Sequence, residues 1–472
     1  MTLNAELAWV LGESAAVMHV AIASAVTVHV LLYKRNVGAA VSWIGMAWLS
    51  PFLGGLLYAT MGVNRVKRRA QRLRRQRLPL VPGEEGVARS AADDPLSPLE
   101  FAVGRLTGLP CEPGNTIEML RSGDQAYPRM LEAIDAAQKS VGLQSYIFRA
   151  DKAGEAFHQA LIQAQRRGVE VRVLIDGVGG GYFWSGTYNH LRGAGVPVAR
   201  FLHSYFPWRM PFVNLRNHRK VLVIDGRLAF TGGLNIGAEN IRADDPPHIV
   251  LDSHFQLEGP IVDQLTDAFA DDWLFATGEK LLTENWFPPL AKVGQVTARV
   301  VTSGPDEDME QIEFVALHAI SCARKSIRII TPYFLPPDPL TMSLGLAALR
   351  GVTVDIVLPE HSNHTILDWA RRVPLRPLIE AGCRVWLMPA PFDHSKLMVV
   401  DDAWALIGSA NWDTRSFRLN FELNVELHDR DFAGKLAAVA PTTRRLALAE
   451  LDGDSLPVRL RNSAARLLQP YL

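Results

Sequence analysis

The fold class this sequence predicts is α/β, in two similar halves, behind an N-terminal helical hairpin that crosses a membrane. Three observations predict it. A short string holding His, Lys, Asp, Gly and Asn occurs twice at identical spacing, strand-like and helix-like segments alternate in the same order around each copy, and the first 63 residues hold two long runs without charge. At 472 residues the chain has room for two or three domains with substantial cores. Formal net charge is zero, so the overall balance names no partner. Cys111, Cys322 and Cys383 lie far apart and form neither a disulfide framework nor a zinc pattern, which fits a reducing compartment.

The N-terminal elements come first. Residues 15–33 and 38–63 carry no Lys, Arg, Asp or Glu. Each is long enough to cross a bilayer core of about 30 Å as a helix rising about 1.5 Å per residue. Lys34 and Arg35 alone charge the loop between them, so the pair reads as a hairpin, with His19, His29 and Pro51 tolerated inside the spans. A cleaved signal peptide fits less well, because no basic residue precedes the first run. Arg65, Lys67, Arg68, Arg69, Arg72, Arg74, Arg75 and Arg77 follow without one acidic residue. That excess places this segment, and the N-terminus with it, on the cytoplasmic side, and reads equally as an attraction for anionic lipid. Residues 1–78 are thus the membrane hairpin with its basic segment, and the Pro-, Gly- and acid-containing residues 79–100 are a linker.

The two halves, 101–276 and 296–472, are joined by residues 277–295. In the first half a strand at Thr116–Leu120 precedes a helix with apolar positions Met130, Leu131, Ile134 and Val141. A strand at Leu143–Phe148, a helix at Glu155–Arg167 and a buried strand ending at Asp176 follow. The second half repeats this with strands at Ala298–Thr302, Ser326–Phe334 and Gly351–Val357 and a helix at Gln311–Ala323. Alternation of this kind predicts a largely parallel sheet in each half. The halves differ between Gly195 and His218, which are 23 positions apart against 12 for Gly382 and His394. The eleven extra residues fall within Phe201–Arg216, where Tyr205, Phe206, Trp208, Met210 and Phe212 are interleaved with Arg209 and Arg216, a composition suited to a lipid headgroup boundary. The C-terminal stretch Val458–Leu472, with Arg459, Arg461 and Arg466 among leucines, reads equally as a surface-lying helix and as a packed one.

The doubled string carries the chemistry. His218, Lys220, Asp225, Gly232, Gly233 and Asn235 recur 176 residues on as His394, Lys396, Asp401, Gly408, Ser409 and Asn411. Each copy reads as a strand, so that His and Lys, two apart, project from one face. Two imidazoles and two ammonium groups around one volume suit a phosphate diester. One His attacks phosphorus while the other protonates the departing alkoxide and then deprotonates the next nucleophile. Lys220 and Lys396 neutralise the non-bridging oxygens, and Asn235 and Asn411 are expected to bind phosphate. Aligning Leu251–Leu257 with Phe421–Leu427 sets Asp252 opposite Glu422, the two carboxylates expected to orient the imidazoles. Asp225 and Asp401 are expected catalytic members of the string by position, although a structural role suits them at least as well. No metal and no cofactor is required, since the lysines supply the positive charge.

These residues resemble the phospholipase D superfamily, and within it the bacterial cardiolipin synthases, through the phrases SYIF, RGVEVRVLIDG, NLRNHRKVLVIDGRLAFTGGLNIGAENI and PFDHSKLMVVDDAWALIGSANWDTRSFRLNFELN. The resemblance covers nearly the whole chain. It implies halves packed with both motifs at their interface, and a bacterial inner-membrane enzyme that moves a phosphatidyl group from one phosphatidylglycerol to another, releasing glycerol. It implies His218 as nucleophile and His394 as acid/base, an order the residues themselves leave open. It implies a Ser that contacts phosphate in each copy, which Ser409 keeps in the second and Gly233 replaces in the first. Phosphatidylethanolamine or glycerol as second substrate, hydrolysis as a phospholipase D, and a nuclease or other phosphodiesterase are the alternatives. The hairpin and the absence of a basic stripe in the catalytic part speak against nucleic acid. Membrane phospholipids are the expected partners, and no residue pattern sets an oligomeric state.

Overall fold

In the computed structural model the described residues are 2–34, 37–62, 96–204, 215–244, 246, 248–304, 310–439 and 443–469. The basic run, nearly all of the linker and the aromatic loop from Tyr205 to Phe212 lie outside them. The N-terminal segment and the α/β region are separate units.

In the N-terminal unit Thr2–Tyr33 is one helix, and Leu11–Tyr33 is the one stretch among the described residues long and apolar enough to cross a bilayer. The second apolar run is not a matching span. It forms a helix at Val37–Leu49, breaks at Ser50, restarts at Pro51–Leu57 and ends in a π-helical turn at Tyr58–Gly62. Pro51 has no N–H with which to continue the first piece, and its fixed φ starts the second. The chain doubles back there. The Trp48 carbonyl lies 3.1 Å from His19 Nε2, whereas the Tyr58 hydroxyl lies 2.7 Å from His29 Nδ1, further up the first helix. Neither piece is long enough for a core of about 30 Å. The expected pair of full spans is therefore corrected to one spanning-length helix with a bent partner packed on it at Ala23, Val26, Val30, Ala47 and Tyr58. The shared side expected for the N-terminus and the basic run required two crossings and loses that support.

In the α/β unit the strands of both halves join one sheet, sixteen-stranded among the described residues. From its outer edge the first half runs Val198–Phe201, Glu170–Asp176, Ser140–Ser145, Val221–Ile224, Leu228–Gly232, Ser253–Glu258 and Glu112–Arg121. The second half continues with Val296–Ser303, Asn420–His428, Trp404–Gly408, Leu397–Val400, Ser326–Ile330, Thr353–Pro359, Arg384–Met388 and Arg444–Arg445. Equivalent strands thus appear in mirrored order about the antiparallel pair Glu112–Arg121 and Val296–Ser303, the arrangement of two like units about a twofold axis.

The sheet is mixed rather than largely parallel. Ser140–Ser145, Glu170–Asp176 and Val198–Phe201 are parallel to one another, but the motif strands pair antiparallel with their neighbours. The cause is a tight turn at the end of each motif. Asp225 and Gly226 both have positive φ (52° and 61°), as do Asp401 and Asp402 (54° and 50°), the backbone of a primed hairpin turn, which can only reverse the chain. Val141, read as a helical position, lies in the strand Ser140–Ser145, because the preceding helix ends at Ala136. Each half has its own core between sheet and helices, around Phe157, Leu222 and Phe230 in one and Ile329, Leu344 and Trp404 in the other.

Candidate active site

Each motif crosses from one half to the other instead of running as a single strand. Arg216–Asn217 pairs in parallel with Asn420 and Phe421 of the second half, and after three residues Val221–Ile224 joins the first half's own sheet. Phe392–Asp393 pairs likewise with Val250 and Leu251 of the first half before Leu397–Val400 joins the second. Backbone bonds fix each crossing, from His218 N to the Phe421 carbonyl (2.8 Å) and from His394 N to the Leu251 carbonyl (2.7 Å). The residue after each acceptor is then a carboxylate beside the opposite half's imidazole.

His218 Nδ1 lies 3.0 Å from Glu422 Oε2, and His394 Nδ1 lies 2.8 Å from Asp252 Oδ2. An ionised carboxylate only accepts, so each ring donates from Nδ1 and keeps its lone pair on Nε2. Burial pushes both carboxyls up, but Lys396 and His394 at Asp252, and His218 and Lys220 at Glu422, outweigh it and hold both below the usual range. Burial pulls both imidazoles down to about 4, with Glu422 opposing it at His218, while at His394 the Lys396 charge adds to it and Asp252 opposes. Burial also brings Lys220 to about 7, with Glu422 opposing, and Lys396 to about 8, with Asp252 opposing. Two neutral imidazoles with outward lone pairs between two easily charged amines await an anion. A phosphodiester placed among them restores the positive charge that burial disfavours.

An arginine backs each crossing, Arg219 buried and Arg121 partly so. Arg219 donates to Asp272 Oδ1 (2.9 Å) and the Glu422 carbonyl (3.1 Å), and Arg121 donates to Asp393 Oδ2 (2.8 Å) and Ser395 Oγ (2.9 Å). Lys220 donates to the His218 carbonyl at 2.6 Å, and Lys396 to that of His394.

The structure brings His218, Lys220, His394, Lys396, Asp252 and Glu422 together, and places other predicted residues differently. Asp225 and Asp401 lie at the far end of a four-residue strand from the lysines. The Asp225 carboxylate accepts from the backbone N–H groups of Gln138, Lys139 and Ser140 (2.7–3.2 Å), and Asp401 from those of Arg324, Lys325 and Ser326 (2.7–2.9 Å). Both fasten the start of the neighbouring strand, which corrects the catalytic position expected of them. Ser409, expected at the phosphate, donates its hydroxyl to Glu422 Oε2 (2.5 Å) and accepts from Leu423 N (3.0 Å), so it braces the carboxylate behind His218. The equivalent Gly233 has no room for such a hydroxyl, since a Cβ there would meet Asp252 Oδ1 at 2.2 Å. Asn235 accepts from Ile147 N through its amide oxygen (3.2 Å), and the buried Asn411 has an unpartnered amide oxygen.

Sequence reasoning missed Tyr146 and Tyr333, whose rings meet those of His218 and His394 edge to face at centroid distances of 4.9 and 5.8 Å. Their signal was the similar placement of Tyr in SYIF and TPYF before each motif. Groups able to ligate a metal occur, among the described residues, at Cys111, Glu426 and His428 and at Glu155, His158 and His190, and neither includes a motif residue.

Comparison with known proteins bears on this geometry. A family model described as a cardiolipin synthase, PLD-like domain matches residues 130–273 and 316–440. The chain is 33% identical over 460 residues to the major cardiolipin synthase ClsA of Bacillus subtilis, covering 93% of this chain and 95% of that protein. It is 32% identical over 465 residues to a cardiolipin synthase of Geobacillus thermodenitrificans, covering 93% and 90%. Among solved structures, phosphatidylserine synthase of Haemophilus influenzae superposes with a TM-score of 0.58 at 16% identity over 75% of this chain and 95% of that one, a likeness of fold.

Proposed function

The chain belongs to the cardiolipin synthase family built on phospholipase D-like domains, and on that premise we propose that it joins two phosphatidylglycerol molecules into cardiolipin and glycerol. The observation that carries this reading is the pair of imidazoles at one seam, each held through Nδ1 by a carboxylate of the opposite half. His218 Nε2 attacks the phosphorus of the first lipid, the P–O bond to the headgroup glycerol breaks, and protonated His394 gives its Nε2 proton to the leaving oxygen. His394 then takes the proton of a headgroup hydroxyl on the second lipid. That oxygen attacks phosphorus, the P–N bond breaks, and its electron pair returns to His218.

Lys220 and Lys396 hold the non-bridging oxygens, and the amide of Asn235 donates to one of them. Residues 101–276 and 296–472 act as the two halves and 277–295 as their connection. The chain resides in the bacterial inner membrane through Leu11–Tyr33, with the α/β unit on the cytoplasmic face, where the basic run of residues 65–77 holds it by the positive-inside rule.

Purified protein in phosphatidylglycerol vesicles without added metal is the test. Equal amounts of cardiolipin and glycerol support the reading, phosphatidic acid as sole product replaces it with hydrolysis, and no turnover refutes it.

A further inference from the structure

Both imidazoles lie at the edge of the sheet where the parallel strands end, because each motif strand begins there and runs back antiparallel to them. The same edge carries exposed apolar side chains on both sides of the seam.

On the first side the strand Glu170–Asp176 leads into the Gly-rich turn of residues 177–185. A Cβ at Gly179 would stand 2.5 Å from the Tyr146 ring, so this turn lies against the ring that meets His218 edge to face. Arg200 donates to the carbonyls of Gly177 (3.1 Å), Tyr182 (2.9 Å) and Gly181, and the Tyr182 hydroxyl donates to that of Ser204 (3.0 Å). The backbone is thereby fixed. Phe183 and Trp184 at its tip are nevertheless 81% and 78% exposed, two adjacent rings held away from the core by a braced turn.

On the second side the helix Leu456–Arg466 shares, through Ala465, a buried cluster with Tyr333, the ring that meets His394. Gln469 donates to the carbonyls of Leu335 (3.3 Å) and Pro336 (3.0 Å), just beyond the end of the strand Ser326–Ile330. Between those two anchors Leu467 and Leu468 are exposed. The C-terminal helix is thus packed along its length and apolar at its free end.

Charge and substrate give the occupant of this edge. No Asp or Glu occurs from Gly177 to Ile224, a stretch that holds Arg192 and Arg200, nor from Leu456 to Leu472, which holds Arg459, Arg461 and Arg466. Aromatic and leucine side chains among arginines without acid suit the headgroup boundary of an anionic membrane. A phospholipid also has to bring its phosphorus to two buried imidazoles while its acyl chains stay in hydrocarbon, so side chains that project beside the seam meet lipid.

We propose that this edge docks the α/β unit on the bilayer, with Phe183 and Trp184 on one side of the His218–His394 seam and Leu467 and Leu468 on the other entering the headgroup boundary. This rests on the reading of the substrates as phospholipids.

The full chain in vesicles of phosphatidylglycerol and phosphatidylcholine tests it in two ways. With the phosphatidylcholine brominated on its acyl chains, the Trp184 emission, taken as wild type minus Trp184→Phe, falls by roughly half or more, a readout that needs no turnover. Phe183→Ser with Trp184→Ser lowers the ratio of turnover on vesicle phosphatidylglycerol to turnover on dispersed short-chain phosphatidylglycerol by roughly tenfold or more, and Leu467→Ser with Leu468→Ser lowers it in the same direction. Where a double variant turns over neither substrate, the quenching decides. Trp184 emission untouched by the brominated lipid, or a ratio at the wild-type value in both double variants, overturns the docking face. Shielding of Trp184 that depends on protein density and not on the brominated lipid gives the face to a second copy of the chain and also overturns it. A wild-type protein with quenched Trp184 that forms no cardiolipin would instead sink the proposed function.

Discussion

Crossed pairing of imidazoles and carboxylates predicts that the two carboxylates act on different steps. Glu422→Gln keeps the shape of the side chain but removes the ionised acceptor that His218 Nδ1 meets at 3.0 Å. Asn420, whose amide donates to Glu422 Oε1 at 3.0 Å and whose own oxygen is unpartnered, can turn over to receive the new NH2 group, so the variant has a means to fold. The loss falls on the positive charge that grows on His218 as it bonds to phosphorus. One preorganised charge-assisted bond in a dry site is worth about 3 kcal/mol, or on the order of 10²-fold in rate. Asp252→Asn removes the partner of His394 at 2.8 Å, and so slows the step in which His394 handles the acceptor's proton.

A phosphatidyl ester of p-nitrophenol separates these effects, because its leaving group departs without an acid. Rapid mixing of enzyme with that ester should show a burst slowed about 10²-fold in Glu422→Gln. In Asp252→Asn the burst should remain and the steady rate after it should fall. A burst lost in Asp252→Asn and kept in Glu422→Gln would refute the assigned pairing of steps, and equal losses in both would refute action through single imidazoles.

Three further outcomes follow from the same geometry. Asp225→Ala leaves three backbone donors unmet and should lower unfolding free energy by about 2–4 kcal/mol in urea titration, with activity per folded molecule retained, whereas a catalytic Asp225 would abolish activity at unchanged stability. Gly233→Ser should push the Asp252 carboxylate off His394 and cut turnover at least about tenfold, since its Cβ would stand 2.2 Å from Oδ1; turnover at the wild-type rate would contradict the packing. His218 and His254 are buried, His394 is nearly so, and all three are held near 4 in the folded chain, so between about 6.5 and 4 the unfolded chain binds more protons. Stability should therefore fall as pH drops through that window, by up to about 3 kcal/mol per imidazole, and a flat urea midpoint from pH 7 to 4 would contradict it.

Much of the fold was legible because the duplication repeats the motif strands at one offset and the flanking strands in the same order. Asp225-Gly226 also announced a hairpin turn, and reading it as such would have predicted antiparallel motif strands and moved the aspartate away from the chemistry. Aligning Asp252 with Glu422 gave the two carboxylates. Which imidazole each meets was not legible, because it depends on Arg216–Asn217 and Phe392–Asp393 pairing with the opposite half, a contact between residues about 200 and 140 apart that local pattern does not record. Ser409 looked like a phosphate ligand because a hydroxyl beside a catalytic motif has no readable direction, and the structure turns it to Glu422. Hydropathy alone passed residues 38–63 as a span, and the helix break at Ser50–Pro51 shows the local geometry that a mean hydropathy averages away.

The central claim is a phosphatidyl group carried on His218 between two lipids. Mixing the enzyme with phosphatidylglycerol vesicles, quenching in alkali, where phosphohistidine survives, and mapping the adduct by mass spectrometry tests it most directly. The phosphatidyl mass is expected on the peptide bearing His218 in the wild-type enzyme and is missing in His218→Ala. The same mass on the peptide bearing His394, or cardiolipin formed by the His218→Ala enzyme, would contradict it.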